Sequence, residues 1–192
     1  MKKKMIIKLF VIVALMAMGC NRDDDNKGDQ GCLKEENYFD LKMEEKTFEP
    51  YFLVAGGLSF YTLNVTRCSR SSNDWAISIN TKENISVYIY IKDVSQPGNY
   101  PIFAGNNDHV PAICSEKMSL YIFDEISNAY TYISDGTGEL TFTKTDRDIG
   151  LFVGTFQCEV TNVQYPNIRK TVSGNFSVNK STLNNFERPC WL

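Results

Sequence analysis

Apolar and polar residues alternate along most of this chain. In Asn84–Ile91, Ile85, Val87, Ile89 and Ile91 point one way and Ser86, Tyr88 and Tyr90 the other. A period of two is the mark of a strand with one buried face. Leu58–Thr66 repeats it through Tyr61, Leu63 and Val65, and Trp75–Ile79 through Trp75, Ile77 and Ile79. Ser119–Phe123 and Tyr130–Ile133 read as two strands around Asn128. The last third is the most regular. Leu140 and Phe142 share a face of Glu139–Thr143. Phe152, Gly154, Phe156, Cys158 and Val160 share one of Leu151–Val160, and Val172, Gly174, Phe176 and Val178 share one of Thr171–Val178. Gly154 and Gly174 each precede a same-face phenylalanine by two residues, which in a strand signals a bulge, a bend or a ring lying over the gap.

Turn formers separate these runs. Gln96-Pro97-Gly98-Asn99 joins a fixed φ to a glycine free to take positive φ. Gly105-Asn106-Asn107-Asp108 opens a longer loop with His109 and Pro111, while Asp135-Gly136-Thr137-Gly138, Lys144–Asp148 and Tyr165-Pro166-Asn167 mark further reversals. No helix-period run of useful length is present, only a turn at Ser181–Glu187. About ten short strands punctuated this way predict a single all-β domain over residues 38–192. The expected architecture is an antiparallel β-sandwich, with a closed β-barrel as the alternative.

The N-terminus follows a different pattern. Lys2, Lys3, Lys4 and Lys8 precede an apolar run from Leu9 to Met18, the layout of a secretory signal peptide. That run is too short for a bilayer, which needs roughly 20 residues. It ends in Ala17-Met18-Gly19-Cys20, which resembles a bacterial lipoprotein signal. The resemblance implies removal of residues 1–19 and acylation of Cys20, which would tie the chain to a membrane. One acyl chain holds only marginally, so stable anchoring implies more than one. The alternative is a plain secretory signal with Cys20 an ordinary thiol or disulfide partner. Residues 20–37 then read as a flexible tether, since Asn21–Gly31 contains nothing apolar to bury. Within it, Asp23-Asp24-Asp25 resembles the surface-export tether of Bacteroidota lipoproteins, which implies exposure at the cell surface of the outer membrane.

Charge and cysteine usage narrow the picture. Taking the four signal-peptide lysines from 20 basic side chains leaves 16 against 23 acidic, a formal charge of −7. That argues against nucleic acid or anionic lipid as a partner, both of which select basic patches. Six cysteines suit an oxidising compartment. With Cys20 acylated, Cys32, Cys68, Cys114, Cys158 and Cys190 remain as disulfide candidates. Their odd number leaves at least one thiol free or paired between chains, and two disulfides of unassigned connectivity are expected.

The C-terminal third carries a family resemblance. Gly136-Thr-Gly-Glu-Leu-Thr-Phe-Thr, Gly150-Leu-Phe-Val-Gly-Thr-Phe-Gln-Cys-Glu-Val and Thr171-Val-Ser-Gly-Asn-Phe-Ser-Val resemble the closing strands of a family of Bacteroidota lipoproteins of unknown function. Pro97-Gly98-Asn99-Tyr100 is similar to that family's p-G-x-Y turn. Met43-Glu44-Glu45-Lys46 stands where the family usually has a glycine. The resemblance implies an envelope location and a β fold; it implies no activity and no catalytic residues.

No catalytic signature appears: there is no G-x-S-x-G, H-E-x-x-H, P-loop or Rossmann fingerprint. His109, the only histidine, sits in a polar loop without an evident partner, so neither a triad nor a His-rich metal site is expected. The wide cysteine spacing argues against zinc. Asp146-Arg147-Asp148 reads as a hairpin turn rather than a calcium corner. A carboxylate pair from distant strands stays open, though 23 acids make some pair easy to find. The tyrosines stand out more. Tyr88 and Tyr90, with Tyr121, Tyr130 and Tyr132, form either an exposed platform for a ligand such as a sugar or a packed second face. The reading that follows is a lipid-anchored, non-catalytic binding module without a cofactor, taking a glycan or an envelope or host protein as ligand. A periplasm-facing scaffold and a carboxylate-dependent envelope hydrolase are the alternatives.

Overall fold

The computed structural model describes residues 36–69, 73–106, 114–115, 117–189 and 191–192. The expected signal peptide, Cys20, most of the expected tether, Cys32, His109 and Cys190 lie outside the described residues. Twelve strands follow in order: β1 (Tyr38–Met43), β2 (Lys46–Phe48), β3 (Phe52–Ala55), β4 (Leu58–Tyr61), β5 (Leu63–Arg67), β6 (Trp75–Asn80), β7 (Ile85–Ile91), β8 (Gly98–Pro101), β9 (Ser119–Asp124), β10 (Ala129–Asp146), β11 (Leu151–Asn162) and β12 (Arg169–Asn179). The strands pair antiparallel throughout. One ten-stranded sheet runs β2-β1-β12-β11-β10-β9-β7-β6-β5, with β8 also on β10, and β3-β4 form a separate hairpin.

The sandwich expectation is therefore corrected. The chain makes one strongly curled sheet, a half-barrel, rather than two packed layers. The reason lies in the long central strands. β10 is 18 residues long and stays laddered to β11 across register shifts at Ser134/Gly138 and Phe142/Lys144. Each bulge adds local twist and bends the strand. Gly136 (φ 95°) and Gly138 (φ 128°) supply the backbone freedom for the first bend, so Asp135–Gly138 is a kink within a strand, not the turn its composition predicts. Gly154 lies opposite the second bulge, and Gly174 has the Phe156 ring over it: a Cβ there would sit 2.6 Å from the ring's Cζ. Both of the devices expected at these glycines are present.

The concave side is the core. Phe39, Leu41, Ile77, Ile79, Val87, Ile89, Leu120, Ile122, Leu140, Val160, Val172 and Val178 are buried there. A chain of rings runs through it: Phe142 meets Tyr100, Phe152 and Phe176 at 5.6, 6.0 and 5.5 Å, Phe156 meets Phe39 at 5.7 Å, and Phe152 meets Trp75 at 6.0 Å. Packed rings occupy this side, so a ligand has to be met on the convex face or at the rims.

Side chains rather than ladder bonds bridge the open seam. Trp75 Nε1 donates to the Arg147 carbonyl at 2.9 Å, and the Arg67 guanidinium donates to the Asp148 carbonyl at 3.0 Å. At the other end, Tyr61 Oη donates to the Asn37 carbonyl at 3.0 Å and packs on Trp191 at 5.9 Å. The segment expected as one strand over Leu58–Thr66 breaks at Thr62. Its hydroxyl donates to Asn80 or Tyr51 carbonyls at 2.7 and 3.1 Å and accepts the Tyr51 N–H at 2.8 Å, which tilts β4 out of the main sheet. In the β1–β2 hairpin, Glu44 itself adopts the left-handed conformation (φ 56°) that the missing glycine would have supplied.

Candidate functional site

Three neighbouring strands put their second faces into one surface. Asn64, Ser78 and Tyr88 stand side by side across β5, β6 and β7, and Thr66, Ala76 and Tyr90 form the next row. Asn80 and Ser86 follow in register on β6 and β7. Adjacent strands lie about 4.8 Å apart and same-face residues nearly 7 Å apart, so these rows make a grid of small polar groups with tyrosine along one side. The β3–β4 hairpin stands against this grid and contributes Phe60, with Asn185 beside it and Cys114 at an end. The result is a cleft of about 670 Å³. Its described lining contains amides, hydroxyls, the three tyrosines Tyr61, Tyr88 and Tyr90, and Phe60, and no Asp, Glu, Lys or Arg.

Two supports hold the walls. The Cys68–Cys114 disulfide ties the end of β5 to the segment before β9. Asn185 Nδ2 donates to the carbonyls of Tyr61 and Leu63 at 2.8 and 2.5 Å, and its own carbonyl accepts the Tyr61 N–H. Phe186 then packs on Phe60 with its ring tilted, centroids 5.5 Å apart, extending the apolar side of the hairpin where Leu53 and Leu58 are exposed.

The tyrosines divide between the two expected roles. Tyr90 and Tyr121 are buried, edge to face at 5.5 Å. Gly105 covers Tyr121, and the Asn106 N–H donates to its hydroxyl at 3.0 Å. Tyr130 packs on Tyr121 and Phe123 at 5.2 and 5.3 Å, its hydroxyl buried without a hydrogen-bond partner. This is a packed second face. Tyr88 is half-buried and belongs to the cleft. Burial raises the pKa of Tyr88, with a Ser86 hydrogen bond opposing and Glu125 reinforcing, and raises those of Tyr90 and Tyr130 further. All three hydroxyls therefore stay protonated and neutral.

Tyr132 leaves the group altogether. The ladder from β9 to β10 shifts between Tyr130 and Tyr132, so Thr131 is the extra residue and Tyr132 turns to the core side. There its ring lies 5.4 Å from the Lys170 ammonium, which pairs with Glu44 at 2.9 Å.

The other candidates resolve simply. Asp146 Oδ1 accepts the Asp148 N–H at 3.0 Å, and the turn's carbonyls are taken by Trp75 and Arg67, a hairpin turn as expected. Among the described residues, no group of three or more His, Cys, Asp or Glu is placed to hold a metal ion. Glu139 and Glu159 line a separate shallow depression with Gln157 and Thr171, whose hydroxyl donates to Glu159 at 2.6 Å. Among the described residues Cys158 is the free thiol, buried in the core; burial first, then the Asp135 and Glu159 carboxylates, push it up to about 12. It is not placed for nucleophilic work.

Sequence reasoning singled out Tyr88 but passed over Asn64, Thr66, Ser78 and Asn80. Their signal was present as the polar members of each alternation, which look like any solvated face until a hairpin is set against them. No family model, curated protein or solved structure matches the chain.

Proposed function

We propose that this chain is a lipid-anchored envelope protein that acts by binding, with its β domain presented at the outer-membrane surface. The observation that carries the reading is the cleft on the convex face of β5–β7, which has walls, a polar floor and a tyrosine. Concave sites of roughly 300–1,000 Å³ with a few convergent polar groups are where proteins hold small ligands. The Cys68–Cys114 disulfide suits an oxidising compartment, and the Ala17–Cys20 segment with its acidic follow-on supports the anchor.

Protease treatment of intact cells making the full chain, with lysed cells as control, tests the placement. Cleavage on intact cells is expected. Protection until lysis would turn the domain inward, as a scaffold facing the periplasm. Turnover of a polysaccharide or ester by the purified full chain would replace binding with catalysis and make Glu139 and Glu159 the first carboxylates to substitute.

A further inference from the structure

We infer that the cleft takes a neutral saccharide, a conclusion that rests on the binding reading above. The first ground is charge. The mature chain is rich in ionised side chains, yet none of them is among the described residues lining the cleft. A phosphate, sulfate, uronate or ammonium group buried there would lose its water without meeting a counter-charge among the described lining residues, which is costly.

The second ground is the alternation of chemistry within the cleft. Asn64, Thr66, Ser78 and Asn80 offer both donors and acceptors, as Asn amides and Ser or Thr hydroxyls do. Tyr88 and Phe60 offer ring faces. A sugar ring presents hydroxyls around its rim and C–H groups on its face, so it satisfies both sets at once. A lipid chain would cover the floor's amides and hydroxyls without hydrogen-bonding them.

The third ground concerns a peptide strand. Such a ligand adds to a sheet through free backbone groups at an edge. β5 is an edge strand, and at its cleft end Asn185 occupies the Leu63 carbonyl, as it does the Tyr61 carbonyl of β4. What the cleft offers is the face of three strands, where side chains do the recognising.

The test is an array of neutral oligosaccharides covering hexose, deoxyhexose, pentose and N-acetylhexosamine units, with oligogalacturonate and heparin-derived oligosaccharides as charged members. The full chain is applied in detergent. Binding to at least one neutral member is expected, weakened roughly tenfold or more by Tyr88→Ala, the loss typical of a key aromatic contact. Asn64→Ala should also weaken it, and Ser78→Asp, which places a charge on the floor, should abolish it. Melting curves identify any variant that has failed to fold, and Asn64→Ala, a surface change, keeps the test decisive if another does.

Binding to charged members alone, to none, or to neutral members without any effect of these variants overturns the assignment. A photoreactive residue in place of Asn64 separates the two readings on intact cells. If it crosslinks to an envelope or host protein while the array stays silent, the saccharide falls and the binding module stands. If neither experiment gives a signal, both fall.

Discussion

Gly174→Ala probes the half-barrel at its tightest point. Gly174 lies in β12 between Leu41 of β1 and Phe156 of β11. An added methyl would run into the Asp40 carbonyl oxygen and sit 2.6 and 2.7 Å from Cζ and Cε1 of Phe156. The carbonyl belongs to the ladder and the ring to the packed chain of aromatics, so neither can swing aside alone. Overpacking a core typically costs about 1–3 kcal/mol, and two obstructed sides put this site near about 3 kcal/mol. For a domain of this size each kcal/mol lowers Tm by roughly 2–4 °C, so a fall of roughly 6–12 °C is expected. The assay is thermal and urea unfolding of the full chain with and without the substitution, plus Phe156→Leu and the double variant. Shrinking the ring removes one of the two clashes, so the pair should couple by about 0.5 kcal/mol or more in the rescuing direction. A Gly174→Ala change within about 0.5 kcal/mol of wild type, the range of an ordinary surface substitution, would refute the close-approach account.

Three further outcomes are expected. Tyr130→Phe should raise stability by up to about 1 kcal/mol, because it removes a buried hydroxyl without a partner, whereas Tyr121→Phe, which loses the Asn106 N–H, should lower it by about 0.5–1.5 kcal/mol; urea melts at neutral pH distinguish the two. Stability should fall as pH rises above about 9. Unfolding lets the Cys158 thiol ionise while the folded chain holds it protonated to about 12, so the unfolded state binds fewer protons there, and about 4 kcal/mol is lost by the top of that window; Cys158→Ala should fall less steeply between pH 9 and 11 in the same melts. A non-reducing peptide map should return Cys68 joined to Cys114 and Cys158 alkylated only after unfolding.

Much of the strand content was legible in the alternation. β11 and β12 run as expected with their inward sets intact, since each inward position is apolar or glycine and, apart from Val153, the next residue is polar. The failures are informative in the same terms. Asp135–Gly138 has a turn's composition but sits in a strand, because β11 offers a ladder on both sides of the bulge and paired backbone outweighs local preference. Tyr132 was grouped with Tyr130 by period two, and one extra residue at Thr131 reversed its face. At the candidate site the sequence identified Tyr88 as unusual, but could not separate it from Tyr90, whose ring packs edge to face on Tyr121 although Tyr121 stands opposite Tyr88 in the ladder.

What the chain determines locally is the set of strands, the apolar face of each and the glycines where the backbone must bend or a ring must fit. These depend on neighbours one or two residues away. Whether the strands formed two layers or one curled sheet depended on bulge positions and pairing order between distant segments. So did the cleft, which exists because Thr62 breaks a strand and Asn185, far along the chain, fixes the hairpin that results. Hydrogen-bond partners more than a hundred residues apart leave no trace in a local pattern. Tertiary structure alone brings them together.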